Sequence, residues 1–393
     1  VTIEADPFPE TALLRLRELL DRHDYSAAAA LPAYPTRRVY PFHELEIGWR
    51  WLWGRCQNLS TAAFPLLYHR RLERRSPFTY HLYRLFFRHQ EIVPEAEVFP
   101  ADLVECLARA RILEVREGRL RALVQVTPLW DRYFLSSIPG RSEGEYVYLG
   151  DDSALLGDLV RAEPGSYRRA LDLCTGCGVV ALAAPSRFTE VLGVDINPTA
   201  VALARANAVL NGAGNVRFVQ GDLWQAAQGR WDLITANPPY LPLPGEMAHL
   251  RHAYGGRRGI ETTLAILGGL QEHLEEGGLC LLLSFSPVSR GRDLLLEEAL
   301  SALGPEFSLD YRVLEKVVVE NLASYYTEKG ITHFHAVRLK VRRDRQGVRL
   351  VRRPGLWARL RRLPLPAVNP GSPPQPRPVF SRLAASKGTW RGP

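Results

Sequence analysis

Two groups of residues in this 393-residue chain have the types and spacing to do chemistry on a ligand. The first is the run "LDLCTGCG" (171–178), followed by "VLGVDINP" (191–198) and "FVQGDLW" (218–224). Gly176 and Gly178 permit a tight turn and a close backbone approach to a ligand. Asp195 lies 23 residues beyond Asp172, at the end of an apolar stretch, where a carboxylate accepts hydrogen bonds from ribose hydroxyls. Asp222 ends the next stretch in the same way. The second group is "WDLITANPPYLPLP" (231–244). Pro238 and Pro239 donate no backbone hydrogen bonds and hold φ near about −65°, so a strand must stop there. The carbonyls of Asn237 and Pro238 are then released from pairing with a neighbouring strand.

The elements that must position these groups alternate from Arg168 onward. The spacing predicts strands over 169–174, 190–196, 215–220, 231–236 and 278–286, with helices over 198–211, 260–275 and 290–303. The glycine loop is expected to open a further helix. Residues 308–319 and 332–341 are two further strand candidates. Strand–helix alternation is the pattern of an α/β protein with a doubly wound sheet, and ligands bind such sheets at the strands' C-terminal rim.

Upstream, "ETALLRLRELLDR" (10–22) has the apolar spacing of an amphipathic helix, and helices are expected within "YHLYRLFFRH" and "PADLVECLARARIL". "EVREGRLRALVQVTPL" reads as two strands around a Glu-Gly turn. Together they suggest a mainly helical, partly winged-helix-like module. The tryptophans of "EIGWRWLWGR" (46–55) are expected to pack in a core. The expected domains are 1–147, 148–342 and a basic, Pro- and Arg-rich tail, 343–393, with too few clustered apolar residues to fold.

In order, the glycine loop, the two carboxylates and Asn-Pro-Pro-Tyr resemble a class I S-adenosylmethionine-dependent methyltransferase. Within that class the chain is similar to HemK-like release-factor glutamine methyltransferases, through "LDLCTGCG", "VDINPTAVALARANA", "GDLW", "NPPYLP" and "AYGGRRGI". The resemblance implies a Rossmann-like sheet with a C-terminal antiparallel strand. It implies that Asp172, Thr175, Gly176 and Gly178 line the methionine part of S-adenosylmethionine. Asp195 and Ile196 would serve the ribose side, and Asp222 and Leu223 the adenine. Asn237, Pro238, Pro239 and Tyr240 would hold the methyl acceptor, with Asn237 also bordering the cofactor. Residues 148–160, "YLGDDSALLGDLV", lack the Pro-Arg-x-Glu-Thr-Glu segment that the family carries before its first strand.

The expected reaction is methylation of a planar amide or amine nitrogen, and a protein glutamine amide is what the resemblance implies. An exocyclic amine of an RNA or DNA base and a small biosynthetic acceptor remain open. So does a binding protein with an inactive methyltransferase domain, which the intact Asn237 and both carboxylates oppose.

Charge is unevenly distributed. From Arg338 onward there are 15 Lys and Arg against one acid, Asp344, leaving residues 1–337 at a net −6 within a chain total of +8. The basic pI of 9.3 therefore belongs to the tail and is no nucleic-acid signature of the folded body. The longest apolar runs fall short of the roughly 20 residues of a membrane span, and the N-terminal residues lack the pattern of a signal peptide. Five cysteines, scattered and odd in number, form no disulfide framework. The expectation is a reduced, cytoplasmic protein of unassigned oligomeric state. Cys174 and Cys177 form a C-x-x-C inside the glycine loop with no second pair, and His249, His252, His333 and His335 have no recognisable ligand spacing. No metal is expected.

Overall fold

The computed structural model describes residues 8–26, 73–74, 76–138, 146–319 and 322–344. The tryptophan-rich run and nearly all of the basic tail lie outside these residues. The chain divides into two compact units, Val1–Ala227 and Gln228–Pro393.

In the first unit, helix α1 (Glu10–Arg22) buries Ala12, Leu13, Leu16, Leu19 and Leu20, the face its apolar spacing predicts. Helices α2 (Pro77–Phe86) and α3 (Ala101–Arg109) follow, with a bridge between them at Ile92 that pairs with Leu120. Strands β1 (Leu113–Arg116) and β2 (Arg119–Ala122) form the expected hairpin. Its turn, Glu117 and Gly118, has φ of 51° and 72°, the twist that a two-residue hairpin requires. A second hairpin joins β3 (Val124–Leu129) to β4 (Arg132–Ser137). Helix α4 (Asp151–Ala162) then leads to the sheet. A side chain at Gly157 of this helix would run into the Trp130 ring, whose Nε1 donates to Asp158 at 2.7 Å.

Strands β5 (Arg169–Leu173), β6 (Glu190–Asp195) and β7 (Val216–Gln220) pair in parallel, with Asp172 opposite Gly193 and Asp195 opposite Gln220. Helix α5 (Pro198–Leu210) connects β6 to β7. It starts at Asn197, whose side chain accepts from Thr199 N, and Pro198 occupies the first helical position, where its missing N–H costs nothing. The expected helix after the glycine loop is not formed. Residues 174–184 run as turns with one helical bond, Leu182 N to Gly178 O. The β-branched pair Val179–Val180 and Pro185 leave too short a span for a helix to propagate.

In the second unit, β8 (Trp231–Ala236) pairs in parallel with β9 (Leu274–Ser289). Between them, α6 (Glu261–Gly268) ends at Gly269 and a single turn, α7 (Leu270–His273), completes the crossover. The one helix expected over 260–275 is therefore two, because paired glycines interrupt it. Strand β9 also starts earlier than expected. It takes in Gly277 at φ 74°, beside a register shift against β8. A two-residue strand, β10 (Arg292–Asp293), leads into α8 (Leu294–Ala302), which is capped by Asp293 accepting from Leu296 N. Strand β12 (Ile331–Arg343) pairs antiparallel with both β9 and β11 (Phe307–Val317), and α9 (Ala323–Glu328) lies between β11 and β12 in sequence. The class is α/β, with parallel pairing at its centre and antiparallel strands at its C-terminal side.

Candidate active site

Asp172, at the end of β5, is buried and accepts a 2.6 Å hydrogen bond from Thr175 Oγ1. Thr175 N donates in turn to Val194 O, tying the loop to β6. Asp195 Oδ2 accepts from Gly176 N at 2.8 Å, and its Oδ1 accepts from Asn197 N at 2.9 Å. Each carboxylate oxygen offers about two acceptor sites, so Asp195 can brace the loop and still receive a diol. Gly221 N donates to Asp195 O, which brings the chain leading to Asp222 beside the end of β6.

The two loop glycines have different reasons to be glycine. Both have positive φ, 56° at Gly176 and 82° at Gly178. A Cβ at Gly178 would lie 2.8 Å from Phe218 Cζ and 3.2 Å from Ala204 Cβ, so this glycine lets β7 and α5 close on the loop. At Gly176 the only atom within 4 Å of such a Cβ is Tyr148 O, at 3.9 Å. That side of the loop is open. Ile196 leaves 47% of its surface exposed, while Asp222 is exposed and Leu223 half-buried at φ 44°. The Cys174 thiol is pushed well above its usual pKa by burial and then by the charges of Asp195, Asp172 and Asp222. The three carboxylates therefore share one neighbourhood. These residues suit a cofactor with a cationic centre, a ribose diol and a base, which is the chemistry of S-adenosylmethionine.

Asn237–Tyr240 follow β8 with neither helix nor strand pairing. Asn237 and Pro239 are half-buried; Pro238 and Tyr240 are buried. The Tyr240 ring stacks on Phe285 with centroids 4.3 Å apart and planes 21° apart, within an apolar cluster that includes Leu241, Tyr326 and Phe334. Leu241 N donates to Ala253 O at 2.8 Å, and Gly255 N donates to Leu241 O at 3.0 Å. The loop Tyr254–Ile260 is thereby laid along the Asn-Pro-Pro-Tyr backbone. A Cβ at Gly255 would fall 2.7 Å from Tyr240 Cα, and one at Gly259 would fall 2.7 Å from Tyr240 O. Glu261 accepts from Arg258 N and Ile260 N, and Arg258 also pairs with Glu298, which fixes the far side of the loop.

Sequence reasoning missed Asn207 and Asn211. Asn207 is fully buried; its Nδ2 donates to Leu135 O and Cys177 O at 2.9 and 2.8 Å, and its Oδ1 accepts from Leu135 N at 2.7 Å. Asn211 makes the same pair of bonds to Tyr133 N and O. Two asparagines spaced i, i+4 on an otherwise apolar helix were the available signal.

A parallel α/β sheet with a carboxylate at the end or just beyond each of three successive strands, around a positive-φ glycine loop, defines a class I methyltransferase that uses S-adenosylmethionine. Residues 150–248 match the methyltransferase small domain family. A release factor glutamine methyltransferase of Deinococcus radiodurans is 36% identical over 207 residues, covering 49% of this chain and 69% of the relative. A ribosomal protein uL3 glutamine methyltransferase of Xanthomonas campestris is 33% identical, covering 46% and 66%. A Methanocaldococcus jannaschii protein, provisionally named a protein N5-glutamine methyltransferase, is 34% identical, covering 35% and 70%. The chain belongs to this HemK-like methyltransferase family. Among the described residues, no helix is long and apolar enough to cross a membrane.

Proposed function

We propose that this enzyme methylates the side-chain amide nitrogen of a glutamine in a protein of the translation apparatus, in the cytoplasm. Asn237 carries the reading: it directly follows a buried strand, and the backbone after it is clamped by a glycine loop. The names of the relatives support a protein amide as acceptor. When bound, S-adenosylmethionine supplies an electrophilic methyl group on a sulfonium centre. We assign its methionine part to Asp172, Thr175, Gly176 and Gly178, its ribose to Asp195 and Ile196, and its adenine to Asp222 and Leu223.

An amide nitrogen is a weak nucleophile because its lone pair is delocalised into the carbonyl. The Asn237 side-chain oxygen and the Pro238 carbonyl each accept one N–H of the acceptor amide. This fixes the nitrogen's orientation and favours the geometry in which the lone pair is free to react. Pro239 holds the carbonyl rigid, and Tyr240, anchored on Phe285, forms the wall beside the planar acceptor. Positioning at about 3–3.5 Å supplies much of the rate. The methylated nitrogen is cationic and sheds its proton readily, so no strong base is required.

Residues 1–147 are assigned to acceptor selection. The deciding experiment is transfer of labelled methyl into separated protein, RNA, DNA and small-molecule pools, with Asn237→Ala as control. Label confined to protein and released as N5-methylglutamine on proteolysis is the expected result; label in RNA, DNA or small molecules alone overturns the reading.

A further inference from the structure

A second cluster of polar side chains lies on β12 and is not used by the methyl-transfer chemistry. His333 and His335 are two residues apart on this strand, so their side chains leave the same face. Around them the hydrogen-bond partners limit where each ring proton can sit. Asp293 Oδ1 accepts from Ser286 Oγ at 2.5 Å, from Tyr311 Oη at 2.8 Å and from Leu296 N at 3.0 Å. Its other oxygen, Oδ2, is 2.8 Å from His335 Nδ1. A carboxylate only accepts, so His335 carries its proton on Nδ1 and presents a lone pair at Nε2.

Thr332 Oγ1 lies 3.1 Å from Val288 O and 2.9 Å from His333 Nδ1, and its single proton serves one of them. With that proton on Val288 O, His333 donates from Nδ1 and presents a lone pair at Nε2; with it on His333 Nδ1, the ring donates from Nε2 to His335 instead. The two Nε2 atoms face each other at 3.3 Å, with the ring planes at 63°. In the first arrangement two lone pairs face each other, and they repel unless an electrophile binds both. Zinc bound tetrahedrally at about 2.0–2.1 Å from each nitrogen spans a chord of about 3.3–3.4 Å.

We propose that His333 and His335 form an open two-histidine chelate for a divalent cation that favours imidazole, of which Zn²⁺ is the type. Asp293 is the outer carboxylate that orients His335, and Thr332 does the same for His333. Among the described residues no group of three or more His, Cys, Asp or Glu converges on one point, so the remaining coordination positions belong to water. Lys316 lies opposite His335 on β11, and its charge opposes any cation, so binding has to come from the imidazole lone pairs. Mg²⁺ and Ca²⁺ favour oxygen ligands, which the two rings do not provide.

The test uses the full chain after chelator treatment. Calorimetric titration with Zn²⁺ is expected to give one saturable equivalent that His333→Ala and His335→Ala each abolish. Thr332→Val is expected to weaken binding by about tenfold, the scale of a lost outer-shell partner. Co²⁺ in place of Zn²⁺ should give a visible absorption band that vanishes in the same variants. Both histidines lie outside the apolar core, and unchanged circular dichroism and melting of the variants checks that they fold. Absence of saturable binding by the wild-type chain overturns the proposal, as does binding that survives the His333→Ala/His335→Ala double variant. Absence of binding would leave the arrangement in which the two rings share a proton.

Discussion

Gly255 runs so close to Pro239 that a Cβ on it would sit 2.5 Å from the Pro239 carbonyl oxygen, nearer than real Cβ contacts occur. The glycine loop and the Asn-Pro-Pro-Tyr backbone are therefore one mechanical unit. Gly255→Ala must push that backbone aside, at a cost of about 1–3 kcal/mol for an overpacked site. Gly259→Ala adds the strain of φ 78° to a 2.7 Å approach to Tyr240 O. Both variants are expected to lose methyl transfer more than they lose S-adenosylhomocysteine affinity. Turnover and calorimetry on the same preparations measure the two effects.

Asn237→Ala should remove turnover by at least about two orders of magnitude, as expected when an acceptor-positioning group is lost. Cofactor affinity should change little, because the proposed role addresses the acceptor. Single-turnover rates at saturating S-adenosylmethionine are the measurement. Methylation at an undiminished rate would remove the amide-holding role.

Asp195 braces Gly176 N and is assigned to the ribose. Asp195→Ala leaves the loop N–H and the ligand hydroxyls without a charged acceptor, so S-adenosylhomocysteine binding should weaken by about 1–3 kcal/mol. Asp222→Ala, at an exposed position that braces no loop amide, should cost less. Calorimetry on both variants tests that order; equal losses would assign the two acids equal weight.

Much of this site was legible in the sequence because its parts are punctuation. Glycines, prolines and strand-end carboxylates stand where local backbone geometry allows little else. Strands β5 to β8 ended within a residue of the positions expected for them. The regions that were misread are those where tertiary context decides. The turns over 174–184 look like a helix by apolar content, but Gly178 at positive φ packs against Phe218 and Ala204, and Thr175 N bonds to Val194 O instead. Gly268 and Gly269 break an apolar period that is otherwise helical. The spacing of Asn207 and Asn211 marked a polar pair on an apolar helix, but it could not name the partners of Asn207, Leu135 and Cys177, which are 72 and 30 residues away. The relation of His333 to His335 depends on Asp293 and Thr332, and no spacing rule brings those four together.

Asn207 acts as a side-chain stand-in for a strand neighbour of β4, and it also fastens the glycine loop at Cys177 O. Asn207→Ala leaves buried donors and acceptors unmatched and should cost about 1–3 kcal/mol of stability. Asn207→Asp keeps the acceptor but faces the two carbonyls with no donor, so it should be no better. Urea unfolding gives the stability change. Because the loop loses its anchor, cofactor affinity should fall as well, which a merely distant packing defect would not cause.

The thiols of the glycine loop predict an alkaline limit to stability. Burial pushes the Cys177 thiol up to about 12, and it pushes Cys174 and Cys280 up as well. In the unfolded chain a thiol ionises near about 8.5. The folded state thus keeps its proton where the unfolded state has released it. The stabilisation from Cys177 is complete below about pH 8.5 and is lost as pH rises toward about 12. At about pH 10 that one group accounts for about 2 kcal/mol, from about 1.5 units at about 1.4 kcal/mol each. Urea midpoints should fall between pH 8 and pH 10, and Cys177→Ala should fall less steeply than the wild type. In the same range, alkylation of the native protein should spare Cys174, Cys177 and Cys280 until denaturant is added. Rapid labelling of Cys177 in the native protein, or an unchanged pH slope in Cys177→Ala, would show that its thiol is not held in the protonated form.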